Sequence, residues 1–366
     1  MITENERVFN LATRISLYTE DVKEGQTGNI TQTLNNIKKL LKEVLNNVKY
    51  DNLGKLSKTN LELLIANVRK FQQSEYNAYI DKTMANLRAF SDIQREVNKI
   101  VWATHYITFD TEKDEAIKAL SYEETEAVYT EESESSLLAP LLGFSALTDD
   151  GAKLWASITN TPIPANGLYV LPFLKTFSTS AQASVERAIR KAWAQKLTVN
   201  QTIQLLMGDG ANEFTKTNEI KKIKNQSDAV THTIYAQAAS IAAASTASAF
   251  FRRYVWNSVI DSGTTVICRR RNKKTYTYGL GPLPPAHVRC RSSTAPVSTS
   301  GDIITISFFN WIAQQPYEIQ VDHLGADQAD FLNSEDVNAE EFDAYQTHKP
   351  LTFSQFKNKI NKILIQ

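Results

Sequence analysis

Apolar residues recur at alternating spacings of four and three between residues 30 and 109, a pattern typical of helices that bury one face. The segment Asp51–Gly54 interrupts this pattern, and further apolar runs begin at Leu61 and Ile80. Two or three antiparallel helices, or a short coiled coil, would bury these stripes. The first stripe contains Ile30, Leu34, Ile37, Leu41, Val44 and Val48.

Further helix signals follow in the second half of the chain. Ser178–Ser180 offers N-cap side chains for a helix that runs towards Leu197. A shorter helix is predicted at about 199–207, ended by Gly208, and a long helix from about Asp228. Residues 242–249 of the long helix are all Ala, Ser or Thr, which favours close packing against a neighbouring element. A last helical section is expected beyond a linker rich in Ser, Thr and Gly.

Residues that favour extended structure concentrate between positions 254 and 297 and predict two or three short strands. They are Val255, Val259, Thr264, Thr265, Val266, Ile267, Tyr276 and Tyr278. We therefore predict a mainly α fold of the α+β type. A helical N-terminal domain is expected at 1–110 and an acidic, loop-rich region at 111–170. A core at 171–300, whose long helix carries a small β-containing basic module (254–297), would precede a helical tail at 301–366.

The 366 residues have no formal net charge, but the charges are unevenly distributed. Residues 110–134 hold ten Asp and Glu against two Lys, whereas residues 252–291 hold nine Lys and Arg against one acid. Two cysteines exclude a disulfide scaffold and favour a reducing compartment. The long uncharged run Thr233–Phe251 is dominated by Ala and Ser, so we expect a packed helix and no stable membrane insertion.

Cys268, His287 and Cys290 are candidate zinc ligands, because thiolates and imidazole suit this metal. Asp261 or water would supply a fourth ligand. Two other interpretations stay open: the cysteines pack as small apolar groups while His287 bonds to backbone carbonyls, or they form a disulfide in an extracellular particle. We favour a chain without a bound cofactor, with zinc as the alternative.

A basic cluster in the same region is a candidate binding surface. It could bind nucleic acid by neutralising phosphates, with Tyr276 and Tyr278 stacking on bases, or it could bind an acidic ring of protein subunits. The sequence contains no P-loop, no Gly-x-Ser-x-Gly and no His-Glu-x-x-His motif, so we expect no enzyme. The basic residues are Arg269, Arg270, Arg271, Lys273, Lys274, Arg289 and Arg291.

The order of residues in this region resembles the phage head morphogenesis (Mu-F-like) minor capsid proteins. An aromatic strand ends at Asp261, Thr264 and Cys268 follow, a Gly-bearing turn comes next, and then Pro-Pro-x-His-x-x-Cys-Arg at 284–291. Downstream, Trp311 and Gln314 precede Leu324-Gly325 and Leu351-Thr352, so the resemblance covers about 178–355. Two positions differ: Ser292 stands where a further Cys often follows, and Thr231–Thr233 stands where Arg-Thr often occurs.

The resemblance implies a low-copy structural protein of the virion head, assembled in the host cytoplasm and located at the portal vertex. Its partners would be the portal protein and capsid or scaffold proteins, with several copies at one vertex, and packaged double-stranded DNA is a further candidate. The residues expected to hold the module together are Asp261, Thr264, His287 and Cys290. Two rival hypotheses remain. The first is an enzyme carried in the virion, either a metal-dependent enzyme that processes nucleic acid or a toxin. The second is an ejection protein delivered with the genome.

Overall fold

The computed structural model describes residues 4–109, 151–208, 218–260, 263–297, 308–334 and 350–365. Helices dominate, and three short strands form one antiparallel sheet, which confirms the predicted mainly α fold with a small β module. Among the described helices, none combines the length and apolar character needed to cross a bilayer.

Seven helices precede the sheet in the described part of the chain. They are α1 (Glu4–Thr27), α2 (Asn29–Asn46), α3 (Lys58–Phe109), α4 (Gly151–Asn160), α5 (Val170–Ala194), α6 (Val199–Met207) and α7 (Glu219–Ala247). The sheet region follows with β1 (Arg253–Asn257), α8 (Val266–Arg271), β2 (Thr275–Thr277) and β3 (Ser293–Val297). The remaining helices are α9 (Phe308–Ala313), α10 (Tyr317–Leu324), α11 (Ala326–Leu332) and α12 (Phe353–Ile365).

The chain divides into two compact units. The first unit comprises Met1–Gly25, Arg88–Gly167 and Thr233–Gln366, and the second comprises Gln26–Leu87 and Leu168–His232. The sequential domain division proposed from the sequence stays a prediction. The acidic stretch at 110–134 lies outside the described residues.

The second unit is built on apolar stripes. Ile30, Leu34, Ile37 and Leu41 of α2 are all buried, as their spacing predicts. The indole Nε1 of Trp193 in α5 donates to the carbonyl oxygen of Leu56 at 3.0 Å, joining α5 to the turn before α3. These contacts give this unit its own core.

The first unit contains the sheet, whose strand order is β2-β1-β3. β1 pairs with β3 over its whole length, from Arg253 opposite Val297 to Asn257 opposite Ser293. The side-chain amide of Asn257 donates to Thr13 Oγ1 at 3.2 Å, which connects the sheet to α1. The sheet is therefore anchored on a helix that begins near the N-terminus.

Several helix limits differ from those expected. Helix α1 lies in the region expected to be helical (1–110), but no apolar stripe marked its limits, because its buried face includes polar side chains such as Thr13, Glu20 and Lys23. The apolar runs that start at Leu61 and Ile80 belong to one continuous helix, α3, since no Gly or Pro separates them.

Two local interpretations were also wrong. Ser178 is not an N-cap: α5 begins at Val170, and Ser178 is buried in its interior. The segment Thr264–Ile267 is not a strand, because Thr265 is the N-cap residue of the short helix α8. The predicted helix at 199–207 is confirmed with those limits.

Candidate metal centre and basic surface

Two chain segments that are distant in sequence meet beside the sheet. The first is α8, which carries Cys268, and the second is the loop between β2 and β3, which carries His287 and Cys290. Backbone hydrogen bonds fix the end of the first segment, because Lys273 N donates to Trp256 O at 2.8 Å and Trp256 N donates to Lys274 O at 2.9 Å. Strand β1 thus positions α8 from one side.

The two cysteine sulfurs converge at this junction. Cys268 Sγ lies 3.7 Å from Cys290 Sγ, and both side chains are buried. With one ring nitrogen of His287 they form a group whose ligand atoms all lie within 4.8 Å of one another. His287 is half-buried, and its Nδ1 lies 2.9 Å from the carbonyl oxygen of Val288. When Nδ1–H donates to that oxygen, Nε2 keeps its lone pair for a metal or a proton.

The three groups perturb one another electrostatically. The hydrogen bond from Cys268 lowers the pKa of the Cys290 thiol, and the same bond raises the pKa of Cys268. The hydrogen bond with Cys290 raises the pKa of His287, although burial opposes that effect. These contacts therefore shift the pKa values of the two cysteines in opposite directions.

A buried serine organises the wall of this cluster. Ser258 Oγ lies 2.9 Å from Trp256 Nε1, 3.0 Å from the carbonyl oxygen of Cys268 and 3.0 Å from Ser292 Oγ. Its backbone N–H donates to the side chain of Asn272 at 3.0 Å. Trp256, Cys268 and Cys290 form one apolar cluster, with Tyr276 and Ala286 packed against it.

The loop that carries Cys290 is also tied to helix α7. Arg289 N–H donates to Thr233 Oγ1 at 3.1 Å. Arg289 has φ of +59°, a left-handed conformation that is unfavourable for a residue with a Cβ. The neighbouring hydrogen bond therefore compensates a local backbone strain between two candidate metal ligands.

The predicted basic residues fall into two groups. Arg269, Arg270, Lys273, Lys274 and Arg289 are exposed. Arg271 and Arg291 are half-buried, and the Arg271 guanidinium carbon lies 5.0 Å from the ring centroid of Trp256. Arg271 thus stabilises the module's interior as a cation–π partner, which its position in a charged run did not reveal.

The tyrosines proposed to stack on bases are engaged within the protein. The ring of Tyr278 lies 4.8 Å from that of Tyr254, and the ring of Tyr276 lies 5.7 Å from it. The Tyr254 hydroxyl donates to the carbonyl oxygen of Pro282 at 2.6 Å. Both tyrosines therefore pack against Tyr254 of β1, and their stacking on nucleic-acid bases stays a prediction.

Apolar side chains are exposed beside the basic ones. Val266 is 63% exposed and Ile267 38%, both at the start of α8, and Val288 in the facing loop is 42% exposed. Val266 and Ile267 lie within two residues of Cys268, and Val288 lies between His287 and Cys290. The two segments that carry these apolar groups meet at the cysteine pair, whose sulfurs are 3.7 Å apart.

A cavity of about 60 Å³ lies in the first unit, where Ala239, Ala243 and Ala247 of α7 face Trp102 of α3 and Pro296 of β3. The small side chains predicted to permit close packing leave this space beside the sheet. Its volume is far below the roughly 300–1,000 Å³ of typical small-molecule sites. It offers little room for a nucleotide or an organic cofactor.

Of the residues expected to hold the module together, His287 and Cys290 meet at the cluster, and Thr264 Oγ1 donates to the carbonyl oxygen of Val259 at 2.6 Å. Asp261, also a possible fourth ligand, lies outside the described residues. The sequence did not identify Ser258 and Thr233, because the roles of single serine and threonine residues depend on which elements the fold brings beside them.

No protein-family model matches the chain, and neither a curated protein nor a solved structure matches it.

Proposed function

We propose that this chain is a non-catalytic structural protein of a phage head, and that residues 254–297, the docking module, bind an acidic protein surface at the portal vertex. The observation that carries the proposal is that Val266, Ile267 and Val288 are exposed next to basic residues in the two segments that meet at the cysteine pair. The resemblance to Mu-F-like minor capsid proteins supplies the biological setting, the virion head.

The apolar groups favour a protein partner over DNA. A phosphate backbone is recognised through charge and hydrogen bonds, and three exposed aliphatic side chains contribute little to that. An interface between proteins buries such groups at its centre and leaves the charged ones at its rim. The basic turn at Arg270, Lys273 and Lys274 would form that rim.

The charges would guide the encounter. In the part of the chain that the structure describes, Arg270, Lys273 and Lys274 form no ion pair, so their charges are available to a partner. Complementary charge raises the association rate more than the final affinity, and salt weakens the effect. A low-copy protein that must find one vertex among many surfaces would benefit from this.

The first test is the location of the chain in assembled heads. Cryo-electron microscopy of particles that carry a tagged copy should show extra density at the unique vertex. Particles without the chain, or with the chain spread over all vertices, would contradict the proposal.

The second test measures binding of the full-length chain to portal rings from the same virus. Reversing three charges (Arg270→Glu, Lys273→Glu and Lys274→Glu) should lower the association rate at least tenfold and flatten its salt dependence. Val266→Ser with Val288→Ser should mainly raise the dissociation rate.

The matched control reverses Lys39, Lys70 and Lys82, three exposed lysines in the second unit. It changes the net charge equally and should leave portal binding unchanged. If the wild-type chain binds double-stranded DNA but not portal rings, and only the charge reversals at the basic turn weaken this DNA binding, the DNA interpretation replaces the protein one.

A further inference from the structure

We infer that Cys268, His287 and Cys290 together bind one zinc ion that braces the docking module. This inference does not depend on the identity of the module's partner, because it concerns how the module is held together. Its ligands come from α8 and from the loop before β3, the two segments that carry the exposed apolar groups.

The separation of the sulfurs matches a metal site. In a tetrahedral zinc site with Zn–S bonds of about 2.3 Å, two sulfur ligands lie about 3.8 Å apart. Cys268 Sγ and Cys290 Sγ are separated by 3.7 Å. A disulfide would require the sulfurs to approach to about 2.05 Å. The observed spacing therefore fits a zinc site as it stands, whereas a disulfide would need the two sulfurs to approach each other.

The chemistry of the donors also fits. Two cysteine sulfurs and an imidazole form a ligand set that suits zinc, whereas magnesium and calcium prefer oxygen ligands. The carbonyl oxygen of Val288 accepts a hydrogen bond from Nδ1 of His287 and would orient the ring with Nε2 towards the metal. Histidine ligands of metals usually have such a hydrogen bond at their second ring nitrogen. His287 is half-buried, so a water molecule can reach the fourth position.

The module has a structural need for such a brace. Its strands are five, three and five residues long, and the apolar cluster beside them contains one large fully buried side chain, Trp256. Small cores of this kind are commonly stabilised by a metal or a disulfide. A zinc ion would join α8 to the 284–292 loop and so fix the two segments that carry Val266 and Val288.

The test is zinc content of full-length protein purified under reducing conditions without chelator. Mass spectrometry should find about one zinc per chain for the wild type and less than one tenth of that for Cys290→Ser and His287→Ala. His232→Ala, which changes a histidine outside the cluster, should retain its zinc. Circular dichroism should show unchanged helical content in all four proteins.

Cobalt substitution provides a second readout that does not require the variants to fold. Cobalt-loaded wild-type protein should show the visible bands of tetrahedral cobalt and thiolate-to-metal absorption in the near ultraviolet. Folded wild-type protein that takes up neither metal overturns the inference, as does equal zinc content in Cys290→Ser. In a second preparation made without reductant, blocked thiols without metal would identify a disulfide and would also overturn the inference. None of these results alters the portal-binding test, so the two proposals can fail separately.

Discussion

The hydroxyl of Ser258 accepts a hydrogen bond from the indole Nε1 of Trp256 at 2.9 Å, and both side chains are fully buried. The same hydroxyl donates to Cys268 O at 3.0 Å, so it must accept from Ser292 Oγ, also at 3.0 Å. One donor and two acceptor positions are then all used. This single atom joins the strand, the helix α8 and the last loop of the module.

Replacing Ser258 by Ala should therefore destabilise the first unit by about 2–3 kcal/mol, because several buried polar groups lose their partner. Urea unfolding of the full chain measures this change. Ser248→Ala is the control, since Ser248 Oγ donates only to a carbonyl of its own helix region and should cost less than about 0.5 kcal/mol. Equal effects of the two substitutions would show that Ser258 is not a structural centre.

The strained backbone at Arg289 leads to a second prediction. With φ of +59°, this position should favour glycine, so Arg289→Gly should be more stable than Arg289→Ala by about 1 kcal/mol. Arg291, which does not have a positive φ, is the matched control, and there the alanine variant should be the more stable of the pair. A preference for alanine at position 289 in urea unfolding would contradict the assigned conformation.

Helix limits could be predicted where short-range chemistry sets them. Helix α6 starts at a capping box between Thr198 and Gln201 and ends at Gly208, whose φ is +81°. Those signals lie within one turn of the helix, so sequence alone locates them. Helix α1 depends on distant partners: Thr19 Oγ1 accepts from Gln94 at 2.8 Å, and no local pattern indicates that a polar side chain will be buried there.

The candidate site shows the same division. Cys268, His287 and Cys290 could be selected because their residue types are rare in this chain and share one chemistry. Their common location depends on the fold, and so does the role of Arg271 over Trp256. The short helix α8 could not be predicted from β propensity, because burial of Cys268 and the turn at Thr265 override the preference of Val266 and Ile267 for strands.

A third prediction concerns pH and the second unit. The hydrogen bond from Arg69 lowers the pKa of Glu186, and Arg190 also donates to this carboxylate at 2.9 Å. A lowered folded-state pKa means that the contribution to stability is present above about pH 4.5 and is lost as the pH falls through the folded value. Thermal unfolding between pH 6 and pH 3 should show a smaller loss of stability for Glu186→Gln than for the wild type. The exposed glutamate Glu43, changed to Gln, should follow the wild type.

The last prediction concerns Ser292, which occupies the position where the Mu-F-like proteins that the motif resembles often have a cysteine. Ser292 borders the cluster, and its hydroxyl lies within hydrogen-bonding reach of Cys268 Sγ. Ser292→Cys should therefore supply a third thiolate and complete a four-ligand site, which zinc prefers for structural roles. Competition against a chromogenic chelator should show at least tenfold tighter zinc binding, accompanied by a loss of about 1 kcal/mol in metal-free stability as the bond to Ser258 weakens. Ser293→Cys is the control, because Ser293 begins β3 and is half-buried, whereas Ser292 is buried beside Cys268, so zinc affinity should stay at the wild-type value. Equal zinc affinity for the wild type and Ser292→Cys would mean that position 292 does not face the bound ion.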